Sequence, residues 1–175
     1  MSSQDDEKAL EALRRRVDGF AHTLSASGAR TEVLAHYATN RRRFGIPLPP
    51  ILRPLGRVWR LGSLLMEADG SLRATGHVIR VRQPGRPQFV SQVAEERRLV
   101  CEAAVRGHIV IGETVNFDTT AISLKLDALG KDGSPLFVRE GRIVVSWSSR
   151  FDAVRDAEEY LREGVELLLD PPEGA

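Results

Sequence analysis

Near the N-terminus, apolar residues recur at steps of three and four, the spacing of one face of an α-helix. The pattern predicts a helix over residues 5–27, with Gly28 as its stop. A shorter helix is predicted from Thr31 to Gly45, so that residues 1–45 form an N-terminal helical arm. The apolar stripe of the first helix comprises Leu10, Leu13, Val17, Phe20, Ala21 and Leu24.

Four prolines fall within residues 46–56. Each proline fixes φ and removes a backbone donor, so this segment can be neither a helix nor a central strand. We predict an extended strap there, which separates the arm from a main body of residues 57–170. Residues 171–175 then form a short tail.

The clearest local signal is the Asp69-Gly70 dipeptide between two apolar runs, residues 57–67 and 72–82. Asp-Gly favours a two-residue type I′ turn, because both central residues of that turn need positive φ. A two-residue turn fixes the register of the hairpin and places Gly62 opposite His77. Since little side-chain volume covers the sheet there, we expect a dent that is filled by a helix or by a small ligand.

The rest of the chain alternates helical and strand patterns without regular βαβ order. This arrangement predicts an α+β fold, with a mainly antiparallel sheet of four or five strands and helices packed on it. The predicted helices cover residues 91–106 and 152–169, the predicted strands cover residues 114–125, 136–138 and 143–147, and residues 131–134 are predicted as a turn. In the helix over residues 91–106, the inner side is expected to consist of Val93, Leu99, Val100, Ala103 and Ala104.

Composition narrows the chemistry. A single cysteine, Cys101, excludes an internal disulfide, and the four histidines show no metal-ligand spacing. We therefore expect no protein-built metal site, and no glycine-rich motif indicates a cofactor. The acidic opening residues do not resemble a signal peptide, and no apolar run approaches the roughly 18 residues of a membrane span. A cytoplasmic protein without membrane association is the expectation.

The charge is unevenly distributed. Residues 41–86 contain ten basic and two acidic residues, which favours an anionic or acidic partner. One hypothesis is nucleic-acid binding, with phosphate contacts from arginines and stacking on aromatic rings. Alternatively, the excess reflects the base composition of the gene, because 22 of the 25 basic residues are arginine. The residues of the hypothesis are Arg41, Arg42, Arg43, Phe44, Arg57, Trp59, Arg60, Arg80, Arg82, Arg86 and Phe89.

Two binding hypotheses follow from the predicted elements. The dent at Gly62 could hold a small anionic or amide-bearing ligand, with Arg60, Thr75 and His77 as polar contacts. The apolar seam of the first helix could form a homodimer if its own body does not bury it.

Several short strings resemble a group of small actinobacterial proteins that carry the automatic name glutaminase. The similarity spans about residues 50–170. It implies an amide hydrolase that acts on glutamine, whose first polar candidates are Ser91, His77, Glu95, Asn116 and Asp118. The strings are Leu61-Gly62-Ser63-Leu64-Leu65, Asp69-Gly70-Ser71-Leu72, Ala74-Thr75-Gly76, Ser91 with Glu95-Glu96-Arg97-Arg98, and Gly112-Glu113-Thr114-Val115-Asn116-Phe117-Asp118.

Taken on its residues, the sequence favours a non-catalytic ligand-binding or interaction module. Cys101 falls on the apolar side of its helix, where a free cysteine behaves as a small hydrophobe. The amide hydrolase and the nucleic-acid-binding protein are the two alternatives.

Overall fold

A computed structural model describes residues 3–83, 91–131, 133–146 and 154–172. Parts of several predicted elements lie outside the described residues, among them Asp132 of the turn, Trp147 at a strand end and Asp152 at a helix start. No helix among the described residues has the length and apolar character needed to cross a membrane.

The chain is α+β, as predicted, but its main sheet is larger than predicted. Seven strands are hydrogen-bonded in the order β7-β8-β1-β4-β5-β6-β9, and the sheet is mixed because β1 and β8 run parallel. The expectation of four or five mainly antiparallel strands is therefore only partly confirmed. The elements are α1 Ser3–Ser27, β1 Glu32–Ala38, β2 Arg41–Arg43, β3 Ile46–Leu48, β4 Ile51–Leu61, β5 Leu64–Glu67, β6 Leu72–Ala74, β7 His77–Arg80, α2 Gln92–Arg106, β8 Thr114–Phe117, β9 Thr120–Ile122, β10 Leu136–Arg139, β11 Arg142–Ser146, β12 Val154–Asp156 and α3 Ala157–Leu169.

The described residues divide into two compact units. The first unit comprises Met1–Thr31, Val58–Ala74 and Thr120–Ala175, and the second comprises Glu32–Arg57 and Thr75–Thr119. Strand β4 contributes residues 51–57 to the second unit and residues 58–61 to the first.

In the first unit, helix α1 confirms the predicted helix and ends where Gly28 adopts a positive φ of 66°. Its apolar stripe is buried in the core of its own unit, against α3 and β11. The apolar seam that was considered for a homodimer is therefore covered by packing within the chain. Trp59 belongs to the same core, and its indole Nε1–H donates to the Ala29 carbonyl at 3.3 Å.

The predicted hairpin register is wrong by one residue. The turn at Asp69 has three loop residues, because the Asp69 carboxylate accepts the Ser71 N–H at 2.9 Å and Gly70 adopts a φ of 83°. Two hydrogen bonds lower the pKa of the Asp69 carboxyl: the larger effect comes from the Ser71 backbone N–H, and the smaller one from the Ser71 hydroxyl. Met66 therefore pairs with Leu72.

The dent predicted at Gly62 is filled by a helix, and His77 is not opposite it. A tight turn at Gly62 ends β4, so β5 folds back on β4 with Leu61 opposite Leu64. A Cβ on Gly62 would collide with the Tyr160 hydroxyl of α3, which also accepts the Ser63 N–H at 2.8 Å.

The last predicted helix begins later than expected. Residues 154–156 form β12 and pair with β11, so the predicted helix is wrong over these residues. Helix α3 begins at Ala157 because the Asp156 side chain caps it by accepting the Glu159 N–H at 3.1 Å.

In the second unit, the helix predicted from Thr31 is wrong. Strands β1 and β2 occupy most of that stretch, and β1 pairs in parallel with β8, with Val33 opposite Val115. Its central residues Val33, Leu34 and Ala35 are all buried, which is typical of a strand covered on both faces. The helical part of the predicted arm thus ends at Ser27.

The prediction that the proline segment contains no central strand is also wrong. Pro54 lies inside β4, between β1 and β5 in the strand order. Strand β5 pairs with β4 only from Val58 onward, so Pro54 lies in a part of β4 that β5 does not reach.

Helix α2 confirms the helix predicted over residues 91–106, and Gly107 ends it as the C-cap. Its buried face consists of Cys101, Ala103 and Ala104, which are all small. Val93 and Leu99 were predicted to face inward but are exposed.

Candidate functional site

The second unit contains an open groove of about 380 Å³ between helix α2 and the strands β1, β7 and β8. We call it the aromatic groove. It is lined by Tyr37, His77, Val78, Ile79, Val93, Glu96, Arg97, Leu99, Val100, Phe117 and Asp118.

Three rings form the floor of the aromatic groove. Strands β7 and β8 are antiparallel, which places His77 directly opposite Phe117. The imidazole stacks on the Phe117 ring with centroids 5.4 Å apart and planes inclined by 29°. Tyr37 contacts the same ring edge-on at 5.7 Å. Such stacked and edge-to-face arrangements are favourable, so the floor is a defined aromatic surface.

Helix α2 supplies one wall. Residues 93, 96, 97 and 100 recur at steps of three and four and share one helix face. Val93 is 62% exposed and Leu99 is 43% exposed, and Val78 on the neighbouring strand is 50% exposed. Apolar side chains grouped in this way and left in water are typical of a binding surface.

Charged groups border the apolar surface. Glu96 and Arg97 line the groove from α2, and Asp118 lines it from the end of β8. Asp118 adopts a positive φ of 52°, a conformation that Asp tolerates better than most residues. Gly76 approaches so closely that a Cβ there would collide with the Asp118 carbonyl, so this position requires glycine. The border thus offers two carboxylates and one guanidinium.

The three ligand contacts predicted from the sequence are only partly placed together. His77 lines the groove, while Thr75 precedes Gly76 and is not part of the lining. Arg60 belongs to the first unit, where it lies opposite Leu65 on β4. Of the three predicted residues, only His77 lines the groove, and the hairpin register from which it was predicted is wrong.

Of the five predicted hydrolase positions, the groove contains His77 and Asp118. Asn116 is buried, and its Nδ2 donates to a Glu32 carboxylate oxygen at 2.7 Å. Ser91 occupies the N-cap position of α2, and its carbonyl accepts the Ala94 N–H at 2.9 Å.

Glu95, the fifth position, is bound within its own helix. Arg98 donates to both Glu95 oxygens, at 2.6 and 2.9 Å, and also to Glu102. Hydrogen bonding from Arg98 lowers the pKa of Glu95, and the same bond raises the pKa of Arg98. These groups stabilise α2 and do not line the aromatic groove.

The apolar wall and most of the floor are not among the features predicted from the sequence. The signal was present in α2, where apolar residues at positions 93, 99, 100, 103 and 104 exceed what one buried stripe requires. The floor left no local signal, because it depends on pairing between β7 and β8, about forty residues apart.

The surface predicted for nucleic acid is not assembled as expected. Trp59 is buried and cannot offer a stacking face, and Arg57 pairs with Glu113 at 3.1 Å. Arg86 and Phe89 lie outside the described residues. Of the residues predicted to bind nucleic acid, Arg41, Arg42, Arg43 and Phe44 lie together in the second unit, in the exposed hairpin of residues 41–48.

The described residues contain no cluster of three or more histidine, cysteine or carboxylate side chains suited to a metal ion. Cys101 is buried in α2. Comparisons with protein-family models, with curated proteins and with solved structures found no match to this chain. The resemblance to the glutaminase-named group stays a prediction, and the site must be judged on its own geometry.

Proposed function

We propose that this chain is a binding protein whose aromatic groove holds a small planar ligand that carries an amide. The observation that carries the proposal is the three-ring floor beside exposed valine and leucine side chains. A flat ligand over the exposed His77 ring, Val93 and Leu99 would remove their apolar atoms from water and stabilise the complex.

The border favours an amide over an anion. Glu96 and Asp118 supply carboxylates that accept N–H bonds, and Arg97 supplies a guanidinium that donates to a carbonyl oxygen. An amide presents both a donor and an acceptor, whereas a carboxylate ligand would face two like charges and a single opposite one. Binding without reaction fits a lining in which the described residues include no serine, threonine or cysteine.

Nuclear magnetic resonance titration tests this proposal. Benzamide, titrated to about 10 mM because small fragments bind weakly, should shift the backbone amide resonances of Val93, Leu99 and Phe117. Benzoate should shift them less because it lacks the N–H donor. Cyclohexanecarboxamide should also shift them less because it is not planar and stacks poorly.

Matched variants on one helix give the control. Leu99→Glu introduces a charge into the groove and should abolish the benzamide shifts. Val105→Glu changes a residue of similar exposure, 41%, on the same helix but outside the lining, and should leave them intact. The proposal is overturned if benzamide shifts no groove resonance, if benzoate binds more tightly, or if binding survives Leu99→Glu.

The amide hydrolase has a separate test. Ammonia release from glutamine is measured for the purified chain and for the variants Ser91→Ala, a predicted hydrolase position, and Cys101→Ala, the single thiol. Release that depends on either residue would replace the binding proposal with hydrolysis, whereas background rates throughout would contradict the hydrolase.

A further inference from the structure

The hairpin of β2 and β3 presents a second surface, which is independent of the aromatic groove. The two strands pair with Arg43 opposite Ile46, and the turn residues Phe44 and Gly45 both have positive φ, 50° and 81°. This is the backbone of a type I′ turn, in which Asn, Asp and Gly are favoured. We call residues 41–46 the arginine arm.

Phe44 is the unusual residue of the arginine arm. A bulky side chain at positive φ costs free energy, and burial normally compensates for such a cost. Here the Phe44 side chain is 93% exposed, so it gains no burial within the chain. The aromatic ring at the tip is therefore not explained by folding.

The charge around the tip has one sign. Residues 39–50, which include the hairpin, contain three arginines and no acidic residue. The Arg41 guanidinium also donates to the Pro49 carbonyl at 3.0 Å. Arg42 and Arg43 are both exposed, and the Arg43 guanidinium lies over the Phe44 ring, 5.7 Å from its centroid.

We propose that the arginine arm binds single-stranded nucleic acid. The guanidinium groups of Arg41, Arg42 and Arg43 would contact phosphates, because their planar forks match phosphate oxygens. Phe44 would stack on a base, which only an unpaired strand offers readily.

An anionic membrane would use the same positive charges but fits the tip less well. The apolar part of the arm is one ring and Ile46, which is small for anchoring in a bilayer. The Arg43 guanidinium over the ring would have to enter the hydrocarbon with it, and burying a charge there is costly. A single-stranded nucleic acid accommodates both groups, because the Phe44 ring can stack on a base while the Arg43 guanidinium contacts a phosphate.

Fluorescence anisotropy with a labelled RNA of mixed sequence and about 12 nucleotides tests the proposal. Three arginine contacts predict a plot of log affinity against log salt with a slope of about −2. Arg42→Gln should reduce that slope by about 0.7. Arg53→Gln removes an exposed arginine of the same unit outside the arm and should leave the slope unchanged.

Phe44→Asn separates binding from folding. Asparagine is better suited to the turn, so the melting temperature should hold or rise. RNA affinity should nevertheless fall by about fivefold to 150-fold, the range for losing one stacked base. Leu55→Asn, at an exposed position of the same unit outside the arm, is the matched control and should bind RNA as the unmodified chain does.

Three results would overturn the proposal. The first is no RNA or single-stranded DNA binding at low salt. The second is binding to vesicles of phosphatidylserine and phosphatidylcholine without binding to RNA, which would assign the arm to a membrane. The third is RNA binding that Phe44→Asn leaves unchanged, because it would reduce the contact to unspecific charge attraction.

Discussion

The two units differ in where they keep their apolar side chains. Among the described residues, the buried core cluster of the first unit has eighteen members and that of the second has nine. Nine of the eleven large apolar side chains that stay exposed belong to the second unit. The first unit therefore uses its hydrophobic residues for its own stability, and the second leaves many of them at its surface.

This contrast is the reason for proposing that binding takes place in the second unit. Helix α2 contributes only the small residues Ala103 and Ala104 to the core cluster, and they bury little area. Five of the nine exposed large apolar side chains of this unit lie in the aromatic groove or on the arginine arm: Val78, Val93, Leu99, Phe44 and Ile46. An apolar surface kept exposed at the expense of a larger core is more easily explained by a partner than by folding.

The largest expected effect is on the core of the first unit. Leu161→Ala should lower the free energy of unfolding by about 2–5 kcal/mol, because it leaves a cavity at a fully buried position. Leu99→Ala, on the exposed wall of the groove, should change it by no more than about 0.5 kcal/mol. Urea unfolding followed by circular dichroism measures both, and equal losses would break the contrast between the units.

A smaller effect is expected where the groove depends on a glycine. Gly76→Ala should cost about 1–3 kcal/mol, because the new Cβ meets the Asp118 carbonyl. Gly56→Ala adds a Cβ with no atom within 4 Å and is the control in the same unit. Gly76→Ala should also weaken benzamide binding, since Asp118 has to move. A variant as stable as the unmodified chain would show that the close approach is not required.

The smallest effect concerns a surface ion pair of the first unit. Arg155 donates to both Glu163 oxygens, at 2.8 and 2.6 Å, and this lowers the pKa of Glu163. A lowered carboxyl pKa adds stability above the unfolded value of about 4.5, and that stability is lost as the pH falls through the folded value.

Glu163→Gln should therefore be slightly less stable than the unmodified chain at neutral pH and should equal it in acid. Urea midpoints measured from about pH 7 down to about pH 3 would show the two curves converging. Glu166→Gln, on the same helix and outside the Arg155 pair, is the control. A constant difference at every pH would mean that the pair is not the cause.

Local patterns predicted the elements whose residues face a single environment. Helix α1 has one apolar stripe and one buried face, so spacing alone located it. Strand β1 was mistaken for a helix because a short apolar run buried on both faces has no period of two. The turn at Asp69 was located correctly, but its length depended on a side-chain bond to Ser71 that the dipeptide does not specify.

The candidate site could be predicted less well than the fold. His77 could be predicted as a candidate site residue, but its position opposite Phe117 depends on the pairing of β7 with β8, which are distant in the sequence. Val93 and Leu99 were assigned to the interior because apolar residues usually are, and no spacing rule separates a buried stripe from a binding wall on one helix. From the sequence, Phe44 is a candidate only because it follows three arginines. Its positive φ depends on the turn between β2 and β3, which the sequence did not predict.

The small inner face of α2 lets the helix lie close to the strands that it covers. The width of the aromatic groove thus depends on the buried residues Cys101, Ala103 and Ala104, which are not part of its lining. A bulkier side chain in place of Ala103 or Ala104 would increase the distance between α2 and the strands. The groove would then be wide enough for a thicker ligand, although none of its lining residues had changed.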